Sequence, residues 1–297
     1  MDRKPNAEQM EFYRKMRESR FQTWRESRAQ MLDEGWERIM LWEGEGPDWN
    51  PEVADQDPPS VYVKKPIKPG RGLFLICAGG AFMYKAYKEG KPVADYFYDK
   101  GYNVAVLDYR VNPYPQTVSC ADGVRAMRVL RSHAAEWGIP ADKIAMGGFS
   151  AGGMLTGMVS TRFDYGCANA ADPIEQVSSR PDAALILYGA FGGMGAPQGG
   201  LGFDVEKQNQ MARMNNVKNL RWDCPPFFVF QTHKDDPSLA MKWGLECAER
   251  GIPFVVHTFR DGAHGGALYD GKHETEDLPH THRWAELAAE WLEDYGF

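Results

Sequence analysis

The sequence predicts an α/β fold: a mostly parallel sheet with helices on both faces, preceded by an N-terminal helical extension. Three observations carry that expectation. From Val61 onward short apolar runs alternate with segments of helical period, the pattern of repeated strand–helix–strand units. The runs are apolar throughout rather than at every second residue, as strands covered on both faces must be. Ahead of them lies a charged stretch, studded with aromatics, that meets no Pro or Gly from Ala7 until Gly35, which favours helix.

Taken in order, residues Ala7 to Met40 alternate acids and bases around Phe12, Tyr13, Met16, Phe21, Trp24, Met31, Leu32 and Trp36. One or two amphipathic helices are expected, their aromatic stripe packed on the main domain. A dimer contact or a flap over the active site are the other readings. Residues 1–40 are therefore assigned to the helical extension and 41–297 to the catalytic domain. The stretch GEGPDWNPEVADQDPPS is dense in Gly, Pro and Asp, which marks an irregular connector. Buried strands are expected at 72–78, 102–109, 143–148, 183–190, 226–232 and 253–259, with helices at 121–137, 238–250 and 281–295. The Asp-, Asn- and Ser-rich stretch from Thr161 to Arg180 reads as a loop or insertion near the C-terminal edge of the sheet.

Composition narrows the function classes. A net charge of −7 leaves no basic excess to bind nucleic acid or an anionic membrane nonspecifically. No apolar stretch reaches membrane-spanning length, and the charged start MDRKPNAEQM has no signal-peptide core. Five scattered cysteines without a CxxC pair suit a reducing cytoplasm and give no support for a zinc site or a disulfide framework. No metal or cofactor is expected; the partner is a small-molecule ester, and the choice between monomer and homo-oligomer stays open.

The chemistry is carried by Gly148-Phe149-Ser150-Ala151-Gly152, a G-x-S-x-G pattern. Alone it is a weak signal. It gains specificity because it follows the apolar run KIAMG and opens the helix-like AGGMLTGMVSTR, the strand–turn–helix setting in which a serine is presented at a sharp bend. A serine hydroxyl needs a base, and Asp261-Gly262-Ala263-His264-Gly265 follows the last apolar run, where such a base belongs. The other six histidines are placed less well. The third member is a carboxylate that holds the imidazole's tautomer. PFFVFQTHKDDPSL offers Asp235 and Asp236; Pro237 fixes the turn just after Asp236, which favours the second. Oxyanion donors are expected from Gly80 or Ala81, in the segment CAGGAF after an apolar run, and from Ala151, because glycines let the main chain turn its amides toward a substrate carbonyl. Phe82, Tyr84, Tyr114 and Phe191 are candidates to line the mouth and stack on a sugar; each has an equal alternative as ordinary core.

With these residues in hand, the chain resembles the acetyl esterase and acetyl-xylan-esterase-like branch of the α/β-hydrolase family. The resemblance runs from about Leu41 to Phe297 and includes LWEGEGPDW, AGGAF, LDYRVNPYP, the elbow, GAHG and the closing WLEDYGF. It implies the α/β-hydrolase fold and hydrolysis of short acyl esters, often acetyl groups on sugars or xylo-oligosaccharides. The family's nucleophile falls on Ser150, its base on His264 and, where the aspartate is doubled, its acid on the second, Asp236. Tyr109 and Arg110 match a pair that supports loops rather than reacting. Two departures stand out: Ala78 replaces the usual His or Pro, and Ala81 replaces a third glycine.

Overall fold

The structure, a computed structural model, describes residues 7–53, 55–189 and 216–297. Among the described residues eight strands form one sheet: β1 (Glu37–Met40), β2 (Ser60–Val63), β3 (Leu73–Cys77), β4 (Asn103–Asp108), β5 (Ile144–Phe149), β6 (Ala183–Leu187), β7 (Phe227–Thr232) and β8 (Phe254–Phe259). Their spatial order is β1-β2-β4-β3-β5-β6-β7-β8. The pairs β1–β2 and β2–β4 are antiparallel, and every pair from β4 to β8 is parallel. The six runs expected to be strands are strands, but the last, β8, is the edge of the sheet and partly exposed rather than buried. The two short antiparallel strands at the edge were not anticipated individually.

Among the described residues the helices are α1 (Ala7–Asp33), α2 (Lys91–Asp99), α3 (Gln116–Ser132), α4 (Ala134–Trp137), α5 (Ala151–Arg162), α6 (Ser238–Glu249) and α7 (Pro279–Asp294). They cover both faces, as the apolar runs require. Along β3, Phe74 and Ile76 join one core with Phe97 of α2 and Trp284 and Trp291 of α7. Leu73 and Leu75 join another with Met127 and Leu130 of α3 and Leu155 and Met158 of α5. A third group packs Trp243 of α6 on Phe227 and Val229. Successive strand side chains point to opposite faces, so each buried strand feeds two cores at once.

Two expectations are corrected here. The charged N-terminal stretch is not helical to Met40: α1 stops at Asp33, Gly35 takes φ +82°, and Glu37–Met40 joins the sheet as its edge. A left-handed residue ends a helix readily only when it lacks a Cβ. The Thr161–Arg180 stretch does lie largely in loops, but at the opposite end of the sheet from the one expected. Helix α5 leaves the C-terminal end of β5 and returns the chain to the N-terminal end of β6, which is parallel to β5. There the loop is tied to α3, by Arg125 to Asp172 and Glu175 and by Arg131 to Asp182.

Helix α1 lies against the domain with buried aromatics and charges together. Trp24 and Met31 are buried. Trp24 Nε1 donates to Asp108 Oδ1 at 2.9 Å, and Arg28 donates to Asp108 Oδ2 at 2.7 Å. Lys85 completes the cluster around Asp108. Burial pushes the Asp108 carboxyl up, but the Lys85 and Arg28 cations outweigh it and pull it down to about 2. No helix among the described residues is long and apolar enough to cross a membrane.

Candidate active site

The loops that follow β3, β5, β7 and β8 meet at the C-terminal end of the parallel strands, where open α/β sheets place their ligands. Ser150 stands between β5 and α5 at φ 51°, ψ −117°, a strained conformation for a residue with a Cβ. The turn is tight enough that a Cβ added to Gly152 would lie 2.0 Å from the carbonyl oxygen of Cys77. This is the physical demand behind the small residues flanking the serine.

His264 Nε2 lies 2.8 Å from Ser150 Oγ, and its Nδ1 lies 2.6 Å from Asp235 Oδ2. The expected serine and histidine are thus brought together. The preference for Asp236 is corrected: Asp235 makes the contact. Asp236 sits at φ 41°, and its Oδ1 accepts from the amide of Ser238 at 3.1 Å, at the start of α6. The turn fixed by Pro237 therefore serves the helix, and the carboxylate beside it is spent on a helix amide. Asp235 is held in place from behind, where the buried side chain of Gln231 donates to its main-chain carbonyl.

Burial alone would lower the His264 pKa, but hydrogen bonding and charge from Asp235, with a smaller contribution from Glu89, raise it above the usual 6.5. Its side chain keeps 40% of its surface open, on a cavity of about 280 Å³ that Ser150 also lines. The ring is therefore well oriented, basic and accessible.

The expected oxyanion segment lies in the turn after β3. Gly80, Ala81 and Phe82 all have positive φ, which turns the main chain sharply after β3. Among the described residues no hydrogen-bond acceptor takes the amides of Gly80, Ala81 or Ala151. Gly80 and Ala81 line the cavity with Ser150. Tyr109, buried, donates from its hydroxyl to the carbonyl of Ala78 at 2.6 Å. Arg110 pairs with buried Asp122 at 2.6 Å. Both therefore brace loops, as the family resemblance implied.

Of the four expected mouth aromatics, Tyr84 lines the cavity. Phe82 does not: it is buried edge-on against Tyr109. Tyr114 does not either; it packs with Val53 and Val118 and accepts from the Asn50 amide. Phe191 lies outside the described residues. Sequence reasoning missed Tyr87 and Glu89 in the turn after the oxyanion segment, and Arg20 and Thr23 on α1. An aromatic stripe on α1 was legible, but which of its polar residues face the site depends on how the helix crosses the domain. Arg17 helps set that crossing, donating to the carbonyl of Asn112 at 2.7 Å.

Among the described residues no cluster of His, Cys, Asp and Glu could hold a metal ion. Chemically, the site can remove a proton from Ser150, orient the resulting imidazolium and receive an anion on main-chain amides.

Residues 60–190 match the BD-FAE family. The chain is 30% identical over 181 residues to an acetylxylan esterase of Xylanibacter ruminicola, covering 61% of this chain and 31% of that protein. It is 27% identical over 209 residues to endo-1,4-beta-xylanase B of Butyrivibrio fibrisolvens, covering 66% and 32%. It thus spans about a third of the length of these two curated relatives. Among solved structures it is similar to an acetyl ester-xyloside bifunctional hydrolase of Caldicellulosiruptor lactoaceticus, with a TM-score of 0.77 and 26% identity, over 88% of this chain and 97% of that one.

Proposed function

We propose that this chain, an acetyl-xylan-esterase-like α/β-hydrolase, is a serine esterase that removes short acyl groups, chiefly acetyl, from carbohydrate esters such as acetylated xylo-oligosaccharides. The observation that carries the reading is the continuous hydrogen-bonded line from Asp235 through His264 to Ser150, opening into a small cavity beside main-chain amides that no acceptor among the described residues takes. The names of the relatives, an acetylxylan esterase and an acetyl ester-xyloside hydrolase, support the carbohydrate ester as substrate.

In the first half-reaction Ser150 Oγ forms a bond to the ester carbonyl carbon as its proton passes to His264 Nε2. The carbonyl electrons move onto oxygen, where the amides of Gly80, Ala81 and Ala151 receive the charge; losing one such donor typically costs about 10²–10³ in rate. Asp235 holds the proton on Nδ1, leaving Nε2 free to accept, and stabilises the imidazolium without taking the proton. The C–O bond to the alcohol then breaks, and the alcohol leaves with the proton from His264. Water enters, gives a proton to His264 and attacks the acyl-enzyme, releasing the carboxylic acid and restoring Ser150.

The cavity fits this division. Its volume of about 280 Å³ suits a short acyl group at Ser150, while Tyr84, Tyr87 and Arg20 in its lining offer aromatic and polar surface to a sugar. A cytoplasmic site of action, on imported oligosaccharides, belongs to the same proposal and is supported by the free thiols of Cys77, Cys120, Cys167, Cys224 and Cys247. The test compares acetyl, butyryl and octanoyl esters of one alcohol, then acetylated xylo-oligosaccharides and an aminoacyl amide. Highest kcat/KM on acetylated xylo-oligosaccharides is expected. Best activity on octanoyl esters or on the amide would replace this reading with a general carboxylesterase or a peptidase.

A further inference from the structure

We propose that Glu89 is a positioning residue for the reaction at Ser150: its buried carboxylate ties the oxyanion segment to the loop carrying His264, and its charge steadies the imidazolium. This rests on the esterase reading above.

Glu89 is only 2% exposed. Its Oε2 accepts from the amide of Gly79 at 2.7 Å, and its Oε1 accepts from the hydroxyl of Tyr188 at 2.7 Å. That hydroxyl in turn accepts from the amide of Ala267 at 3.0 Å. One carboxylate therefore joins the main chain just before Gly80 to the main chain just after His264. Contact is close at both ends. A Cβ on Gly79 would lie 2.8 Å from Glu89 Oε2, and the ring of Tyr188 meets the His264 ring edge-on at 5.0 Å between centroids.

A brace alone does not explain a charge. Burying a carboxylate without a cation is costly, and among the described residues Glu89 has no ion pair. Nearby Lys85 is engaged by Asp108. Both hydrogen-bond partners of Glu89 are donors, and the Tyr188 oxygen is already taken by Ala267, so the arrangement fits the ionised form. The titratable groups that face it are His264, Tyr188, Tyr109, Tyr269 and Lys88. Burial pushes the Glu89 carboxyl up, opposed by the bonds from Tyr188 and Gly79. Of these neighbours, His264 is the one that gains a positive charge during the reaction. A fixed anion behind it favours that change, while the Gly79 bond keeps the Gly80 and Ala81 amides aimed at the oxyanion.

The experiment uses the full chain with Glu89→Gln and Tyr188→Phe. Two readouts are taken across pH: kcat and KM on p-nitrophenyl acetate, and the rate at which a fluorophosphonate labels Ser150. In labelling, the Oγ–P bond forms, the P–F bond breaks, fluoride leaves and the serine proton passes to His264. For Glu89→Gln, kcat is expected to fall about tenfold to a hundredfold, less than or equal to the loss of a whole oxyanion donor, with KM little changed. The acid limb of kcat/KM should move to lower pH, because the charge that raises the His264 pKa is gone. Tyr188→Phe keeps the charge and loses the link to Ala267, so its rate should fall while its acid limb stays in place.

Wild-type kcat and an unmoved acid limb in Glu89→Gln would overturn the proposal, as would a lower melting temperature with both unchanged. If Glu89→Gln fails to fold, Tyr188→Phe decides, and an unchanged labelling rate refutes the link. If the wild-type chain does not turn over acetyl esters, the esterase reading fails separately, since labelling of Ser150 still ranks the variants.

Discussion

The two halves of the candidate site are built by different means. The half around Ser150 and the oxyanion segment is held by packing: Gly152 touches the Cys77 carbonyl, and Cys77, Ala78, Phe149 and Ala151 are all buried. The half around Asp235 and His264 is held by hydrogen bonds on more open loops. Gln231 holds the Asp235 carbonyl, Thr232 donates to the Gly262 carbonyl at 2.6 Å, and Tyr269 donates to the Ala263 carbonyl at 2.8 Å. Packing leaves few sequences able to make the first half. Hydrogen bonding tolerates several solutions in the second, so the first announces itself in the sequence, whereas the second shows its histidine but not which aspartate meets it.

Substitutions across this divide break or sharpen the contrast. Ser150→Ala should abolish turnover, with a fall in kcat of about 10⁶ if the group works as a unit, read in a continuous assay of acetyl ester hydrolysis. Asp235→Asn should leave the fold intact and cost about 10⁴ in kcat, because the wrong tautomer then faces Ser150. The same change removes the chief interactions that raise the His264 pKa. Protonated His264 cannot accept the serine proton, so in the wild type kcat/KM should rise with pH through a midpoint above 6.5. In Asp235→Asn the residual activity should rise at lower pH.

Smaller effects are expected away from the reacting atoms. Asp108→Asn leaves Lys85 and Arg28 buried with less countercharge, and breaking such a pair costs about 3–5 kcal/mol of stability, measurable by urea unfolding. The sign with pH follows from a depressed folded-state pKa. The Asp108 contribution is present above the unfolded value of about 4 and is lost as pH falls toward about 2. Asp236→Ala should cost only about 1 kcal/mol, the worth of its lost hydrogen bond to the Ser238 amide, and leave kcat near wild type.

Legibility in the sequence follows the same physical division. Five of the six strands, β3 to β7, were readable because each feeds two cores and so must be apolar throughout; β8, a partly exposed edge strand, was readable from its β-branched and aromatic run. Strands β1 and β2 are short and antiparallel, and the edge strand β1 is polar at Glu37 and Arg38, which hides it among the charges of α1. Ser150 and His264 were readable from motif and chain order, since the elbow sterically demands its glycines. The acid was not: adjacent aspartates differ by one backbone rotation, and the φ of 41° at Asp236 leaves no mark in composition. Phe82 and Tyr114 misled because an aromatic near a site has the same letter whether it faces the cavity or the core. Glu89 and Arg20 went unseen because they reach the cavity only through tertiary placement.

The central claim, that Asp235 rather than its neighbour orients His264 toward Ser150, is tested most directly by proton NMR of the imidazole. A hydrogen bond from Nδ1 to a carboxylate at 2.6 Å should give a resolved, strongly downfield Nδ1 proton in the wild type and in Asp236→Asn. It should vanish or move sharply upfield in Asp235→Asn. A resonance that survives in Asp235→Asn and disappears in Asp236→Asn would contradict the assignment.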